Sequence, residues 1–220
     1  ILYKDAANKK RNQKNKRTIK SSNLCAEIII YSSPEETGVC NLASVCIASF
    51  VENDEKGNVS YNFNKLHDTV KVITKNLNKV IDKNFYPIEK ARVSNLRHRP
   101  IGIGVQGLAD VFVKFRFPYE SKEAKQMNKD IFETIYHGAV EGSMEISQKR
   151  TTIIKEMMDN NDPNIEKYVN EFEKDVINSK YPGSYSSFEG SPMSFGKFQF
   201  DLWGKEPSNR YDWNTLRENV

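Results

Sequence analysis

At 220 residues the chain is long enough to bury a sizeable core, as one large domain or two small ones. Its 38% hydrophobic content and mean hydropathy of −0.67 are low for a compact domain but well short of disorder, and its net charge is +4. No apolar run approaches the ~18 residues of a membrane span, and no secretory leader pattern is present.

The chain opens on Ile1 rather than a methionine, as a piece of something longer would. Residues 1–20 carry eight basic side chains against Asp5 alone, which leaves −3 for the other 200. A nucleic-acid-binding domain carries its basic surface through the fold. This arm, centred on "NKKRNQKNKR", reads instead as a flexible or helical lead-in and a solvated loop, with phosphate binding or targeting as the other readings. "SSNLCAEIII" (Ser21–Ile30) follows as a strand or extended loop. In an extended chain Asn23, Cys25 and Glu27 share one face, roughly 6.5–7 Å apart. "SSPEETG" (Ser32–Gly38) is a turn, and "VCNLASVCIASFV" (Val39–Val51) reads as a buried strand before the exposed loop "ENDEKGN". Leu66, Val70, Ile73, Leu77 and Val80 recur at three and four and predict an amphipathic helix from Asn64 to about Asn84. A short helix runs from Pro87 to about Leu96, then a strand over Ile101–Val105 leads directly into a helix that Phe117-Pro118 breaks. Ser121 opens a long helix with a stripe of Phe132, Tyr136, Val140 and Met144. Beyond Gln148 come "DNNDPN", a charged helical stretch to about Ile177, an irregular loop "KYPGSYSSFEGSPMSFG" and a final short helix. Strands alternating with helices argue for an α/β design with parallel pairing.

Several chemistries are open to these residues. Gly102-Ile103-Gly104-Val105-Gln106-Gly107 matches G-x-G-x-x-G, but two of its glycines fall inside the strand and no second strand with a terminal acid follows, so close backbone packing is the better reading. His67, His98 and His137 are scattered without ligand spacing and read as surface or cap histidines, so no metal site is expected. A cysteine hydrolase would need a histidine base beside Cys25, and no local signature supports one. A thiol-redox site is the stronger candidate. Three cysteines, Cys25, Cys40 and Cys46, make no disulfide framework and fit a reducing, cytoplasmic compartment. Cys25 and Cys40 lie on successive extended segments that can approach one another, whereas Cys40 and Cys46 on one strand would be about 20 Å apart. A lone cysteine is most often a small buried hydrophobe. A carboxylate such as Glu27 beside Cys25 needs a partner or a purpose on a buried face.

Taken in order, "SSNLCAEI", "VCNLAS", "LNKVIDKNFYP", "RHRPIGIGVQGLAD", "NKDIFETIYHGAVEGS", "EGSPMSFG" and "DWNTLRE" resemble the catalytic large subunit of class I ribonucleotide reductase, eukaryotic type. The likeness covers nearly the whole chain except about 150–182, which reads as a family-atypical insertion. The resemblance implies that residues 1–220 form an internal part of a ten-stranded α/β barrel, built from two antiparallel halves of five parallel strands. A central finger loop would carry the radical cysteine. It implies reduction of ribonucleoside diphosphates to their 2′-deoxy forms for DNA precursor synthesis. Cys25 would be the transient thiyl radical, Glu27 the base for the 3′-hydroxyl proton, and Cys40 one member of the redox-active pair. Asn23, with Leu24 and Glu27, would hold the substrate, and Cys46 matches no functional position and reads as core. The chain itself would hold no cofactor or metal. The di-iron tyrosyl-radical centre would belong to a separate small subunit, and ATP and deoxynucleotide effectors would bind outside this segment. Implied partners are that small subunit, a second large subunit in a homodimer or higher oligomer, and thioredoxin or glutaredoxin, with no nucleic acid and no membrane. The second redox cysteine, the phosphate loop and the C-terminal relay lie elsewhere in the family, so the segment alone is expected to be inactive. "NQKNKRTIK" lacks the Leu-Gly expected before Thr-Ile-Lys, and Ala26 stands where Thr is usual. These departures leave a second reading, a non-catalytic regulatory paralogue that uses the basic arm as a binding surface.

Overall fold

The computed structural model describes residues 4–23, 25, 26 and 28–220. The central feature is a parallel pair of strands, β1 (Asn41–Cys46) and β4 (Ile101–Gln106), in a register that sets Asn41 beside Ile101 and Cys46 beside Gln106. Asn41 fixes the start of that register, because its backbone N–H and side-chain amide both donate to the Pro100 carbonyl. Between the two strands the chain makes a hairpin, β2 (Val51–Asn53) against β3 (Val59–Tyr61), and two helices, α2 (Phe63–Lys83) and α3 (Glu89–His98).

The single strand expected over Val39–Val51 is therefore two strands. Ile47–Phe50 forms a 3-10 turn between them, and its ends, Ile47 and Phe50, are both buried. Consecutive apolar residues here serve a corner of the core rather than the two faces of one strand. The Tyr61 hydroxyl holds that corner by donating to the Ile47 carbonyl at 3.0 Å.

Helix α2 begins where the Asn62 side chain accepts from the Lys65 N–H at 2.9 Å, a side-chain cap for an otherwise orphaned donor. Its buried positions are Leu66, Val70, Thr74, Leu77 and Ile81. Of the expected stripe, Ile73 is only partly buried and Val80 is exposed, since the packed face follows the i, i+4 row through Thr74 and Ile81. After β4 come α4 (Leu108–Phe115) and α5 (Lys122–Asp159), the latter capped by the Ser121 hydroxyl.

Helix α5 serves two cores. Ile131 and Ile135 join Val45, Ile47, Leu66, Val70 and Val111 behind the parallel strands. One face round, Tyr136, Val140 and Met144 pack with Phe198, Trp213 and Leu216. Phe132, expected in the stripe, is 44% exposed. The helix also runs past Gln148 to Asp159, anchored by fully buried Ile154. The charged stretch that follows holds only one helical turn, α6 (Ile165–Tyr168), and then turns rather than helix to 180. Glu173 is the cause: its carboxylate accepts from Arg150 at 2.8 and 3.1 Å and from the Asn170 N–H at 3.0 Å, which folds the segment back on α5. The remaining helices are α1 (Lys4–Lys10), α7 (Gln199–Trp203) and α8 (Trp213–Asn219).

The strand pair has one covered face. Val45, Ile103 and Val105 pack toward the α2 core, whereas Leu42, Ser44 and Cys46 on β1 and Gly104 and Gln106 on β4 are exposed. Cys46 therefore departs from its expected core position, because strand alternation turns it to the side that the helices among the described residues leave uncovered.

Candidate active-site segment

Of the five positions singled out in the sequence, Asn23, Cys25 and Cys40 lie among the described residues; Leu24 and Glu27 lie outside them. Around Cys25 the chain is a turn, not a strand. The Ala26 N–H donates to the Asn23 carbonyl at 3.1 Å, the Ile28 N–H donates to Asn23 Oδ1 at 3.0 Å, and Ala26 takes φ 65°. A short amide that bonds its own downstream backbone is a recurrent turn-former. Asn23 and Cys25 do not share a strand face, and Glu27, the third residue expected there, lies outside the described residues. The Asn23 carbonyl group instead ties the turn, which presents the Cys25 thiol to solvent.

Both ends of this loop are held by the arm before it. Asn8 accepts from the Ile19 N–H at 2.8 Å and donates to its carbonyl at 2.9 Å, and Gln13 accepts from the Tyr31 N–H. Asn15 donates to the carbonyls of Ser187 and Glu189, and Asn12 accepts from the Met193 N–H. The amides of "NKKRNQKNKR" thus staple the Cys25 loop to the 187–193 loop while Lys9, Lys10 and Lys14 face solvent. A purely solvated reading of the arm misses this, because charge dominates its composition and the amides do the bonding.

Downstream of the loop, Glu36 is buried. It accepts from His98 Nε2 at 2.9 Å, and His98 Nδ1 lies 2.8 Å from the Ser187 hydroxyl. All three side chains are at most 6% exposed, so of the surface and cap readings the surface one fails for His98, which ends α3 as a buried residue. Burial lowers its pKa, against the pull of Glu36. A polar cavity of about 390 Å³ borders this network, lined by Lys16, Arg17, Tyr31, Glu36 and Arg97 among others. A second, of about 1080 Å³, lies between α5 and the 180–196 loops. Neither is lined by Asn23, Cys25 or Cys40.

Cys40 immediately precedes β1 and is half-buried. A Cβ built on Gly102 would lie 2.6 Å from Leu42 Cδ2 and 3.4 Å from Cys40 Sγ, so the bare glycine keeps open the ground in front of that thiol. This close approach, with Gly107 at φ 85° capping α4, is what the glycine run does here. Burial pushes the Cys40 thiol up to about 11, so it is a neutral S–H near pH 7.

A third cluster was missed in the sequence. His67 on α2 and His137 on α5 meet with Nε2 and Nδ1 2.8 Å apart, and Glu141 Oε2 is 3.6 Å from the same His67 nitrogen. His137 is buried, and burial with the neighbouring His67 pushes its pKa down to about 4. The i, i+4 pair His137 and Glu141 was the visible signal; its partner lies 70 residues away.

Comparison with known proteins bears on all of this. The whole chain, residues 1–220, matches the family model described as ribonucleotide reductase, barrel domain. It is 50% identical to the ribonucleoside-diphosphate reductase large chain 2 of Saccharomyces cerevisiae, over 100% of this chain and 22% of that protein. It is 48% identical to the large chain of Schizosaccharomyces pombe and to the large subunit of Caenorhabditis elegans, over 100% of this chain and 23% of each. The chain therefore spans less than a quarter of the length of these curated relatives.

Proposed function

The chain belongs to the ribonucleotide reductase barrel-domain family, and from that premise we propose that it supplies the radical-cysteine segment of a ribonucleoside-diphosphate reductase large subunit. The observation that carries the reading is the occurrence together of Asn23 and Cys25 on a self-bonded turn and of Cys40 directly before a parallel strand, on the side of Gly102. In an α/β barrel the helices lie outside and the chemistry inside. Helices on one face of β1 and β4, with Leu42 and Cys40 beside the bare side of Gly102, support such a wall. The ten-stranded closure and the finger-loop role of residues 21–31 belong to the same proposal, as does a cytoplasmic location. So does the reading of about 150–182 as an insertion.

In the proposed reaction Cys25, as a thiyl radical, takes the hydrogen atom from the ribose 3′ carbon and returns it at the end. Glu27 takes the 3′-hydroxyl proton, and Asn23 with Leu24 orients the substrate. The 2′-hydroxyl leaves as water, and Cys40 with a second cysteine supplies two electrons and ends as a disulfide. A thiol held protonated by burial suits that step, since both its proton and its hydrogen-atom chemistry are available near neutral pH. Thioredoxin or glutaredoxin would reduce the disulfide, a second large subunit would complete the homodimer, and ATP and deoxynucleotides would act from other sites.

The di-iron tyrosyl-radical centre is assigned to a separate small subunit. Such centres are built from several carboxylates with histidines on facing helices. The histidine cluster among the described residues has one carboxylate, Glu141, and does not fit that group.

The test is conversion of CDP to dCDP by the full-length protein with its small subunit and a dithiol. Wild type turns over and Cys25→Ser does not. Inactivity of both proteins would overturn the catalytic reading in favour of a regulatory paralogue, and turnover by Cys25→Ser would remove the role given to Cys25.

A further inference from the structure

Helices α2 and α5 face each other across two matched i, i+4 pairs: His67 and Lys71 on one, His137 and Glu141 on the other. Side chains four apart on a helix share a face, so the four groups converge on one patch. The ligand atoms of His67, His137 and Glu141 all lie within 4.8 Å of one another. We propose that these three residues form a single-ion site for a divalent metal of the zinc class, independent of the nucleotide chemistry.

The geometry is close to what such an ion needs. Ligands at about 2.0–2.1 Å in a tetrahedron stand about 3.3–3.4 Å apart. The His67–Glu141 separation of 3.6 Å already matches. The His67–His137 separation of 2.8 Å is a hydrogen bond between ring nitrogens; the ion replaces the shared proton, and the rings open by about half an ångström. Two imidazoles and one carboxylate are a donor set that suits zinc and its neighbours rather than calcium or magnesium. A fourth position remains for water.

The rings are held for this. Tyr211 stacks on His137 and His67 with centroids 4.3 and 5.4 Å away, and Trp213 meets His137 edge-on at 4.9 Å. These aromatics are fixed in turn by Tyr211 bonding Thr134 and Trp213 bonding Glu133. Such outer partners restrict ring orientation and favour binding.

Lys71 is the competing cation. Its ammonium lies 2.9 Å from Glu141 Oε2 and also bonds Glu145, which a second lysine, Lys75, holds at 2.8 Å. An incoming ion takes Glu141 while Lys71 keeps Glu145, so the exchange leaves no charge stranded.

The experiment uses the full-length protein, stripped with a chelator and with its thiols alkylated so that cysteines cannot ligate. Co²⁺ is titrated while the visible bands of a tetrahedral ion are followed, and Zn²⁺ is then used to displace it. One ion per chain is expected, with affinity weakened about tenfold or more in His67→Gln and Glu141→Gln. Lys71→Met should bind more tightly than wild type, a gain that misfolding cannot produce. Absence of a tetrahedral spectrum in wild type overturns the site. So does binding that is unchanged in the two ligand variants, or weakened in Lys71→Met.

Discussion

Gly138 on α5 stands against the backbone of His67 on α2: a Cβ there would lie 2.9 Å from the His67 carbonyl oxygen and 3.3 Å from its ring Cδ2. One turn on, a Cβ at Gly142 would meet Lys71 Cα at 3.3 Å. The two glycines let the helices approach closely enough for the histidines to meet. Alanine favours a helix interior over glycine by about 1 kcal/mol, so the two variants should differ. Gly138→Ala must displace backbone and should lose about 1–3 kcal/mol net, whereas Gly142→Ala should be near neutral. Urea midpoints of the two variants check this, and equal midpoints would mean that the close approach does not depend on Gly138.

The three thiols should separate by reactivity. Cys25 and Cys46 are exposed, whereas Cys40 is half-buried and pushed up to about 11. Since the thiolate is the nucleophile, iodoacetamide at pH 7.5 should label Cys40 last. Its rate should still be climbing about tenfold per pH unit near pH 9. Peptide mapping by mass spectrometry reads all three at once. Cys40 labelling as fast as Cys25 would contradict the burial that keeps it protonated.

How much of this was legible beforehand follows from which forces are local. The strand Ile101–Val105, the helix from Asn64 and the Ser121 start were readable, because periodicity and caps act within one or two turns, and the parallel sense of the strand pair followed from strands alternating with helices. The turn at Asn23 was not, since an alternating polar pattern looks the same whether the chain is extended or an asparagine folds onto its own backbone. The 3-10 corner at Ile47 was hidden inside an apolar run for the same reason. Glu36–His98–Ser187 and His67–His137 were invisible because each unites residues 60 or more apart. Cys46 was misread because the chain does not announce which face of a strand its helices will cover. The roles proposed for Asn23, Cys25, Glu27 and Cys40 come from the family resemblance and not from spacing.

The folded-back segment after α5 hangs on Arg150 and Glu173, whose side chains are 16% and 2% exposed. Removing one member of a buried pair strands the other, at a cost of about 3–5 kcal/mol. Glu173→Ala should therefore open the 160–182 segment locally, and brief proteolysis should cut it about a hundredfold faster than wild type. An Arg150→Met, Glu173→Leu double variant should recover most of the protection. Resistance of Glu173→Ala to cleavage would mean that other contacts hold the segment.

His98 makes the join between Glu36 and Ser187 sensitive to acid. Its ordinary pKa is 6.5, and burial lowers it in the folded state. Above pH 6.5 the ring is neutral both folded and unfolded, and stability does not change with its titration. Below that value the unfolded chain takes up a proton that the folded site resists, so stability falls with pH until the lowered folded pKa is reached. The slope cannot exceed one proton, about 1.4 kcal/mol per pH unit. Lys16 and Arg97 press in the same direction as burial, and Glu36 opposes them. Hydrogen exchange at Thr37 and Phe188, whose N–H groups bond Lys90 and Tyr185 beside the network, reads the local opening. After correction for intrinsic rates, protection at these amides should drop up to about tenfold between pH 6.5 and 5.5. His98→Gln keeps a hydrogen-bonding group but cannot titrate, so its protection should be lower throughout and flat across that interval. A wild-type profile as flat as that of the variant would mean that His98 already carries its proton in the fold, as a charged partner of Glu36.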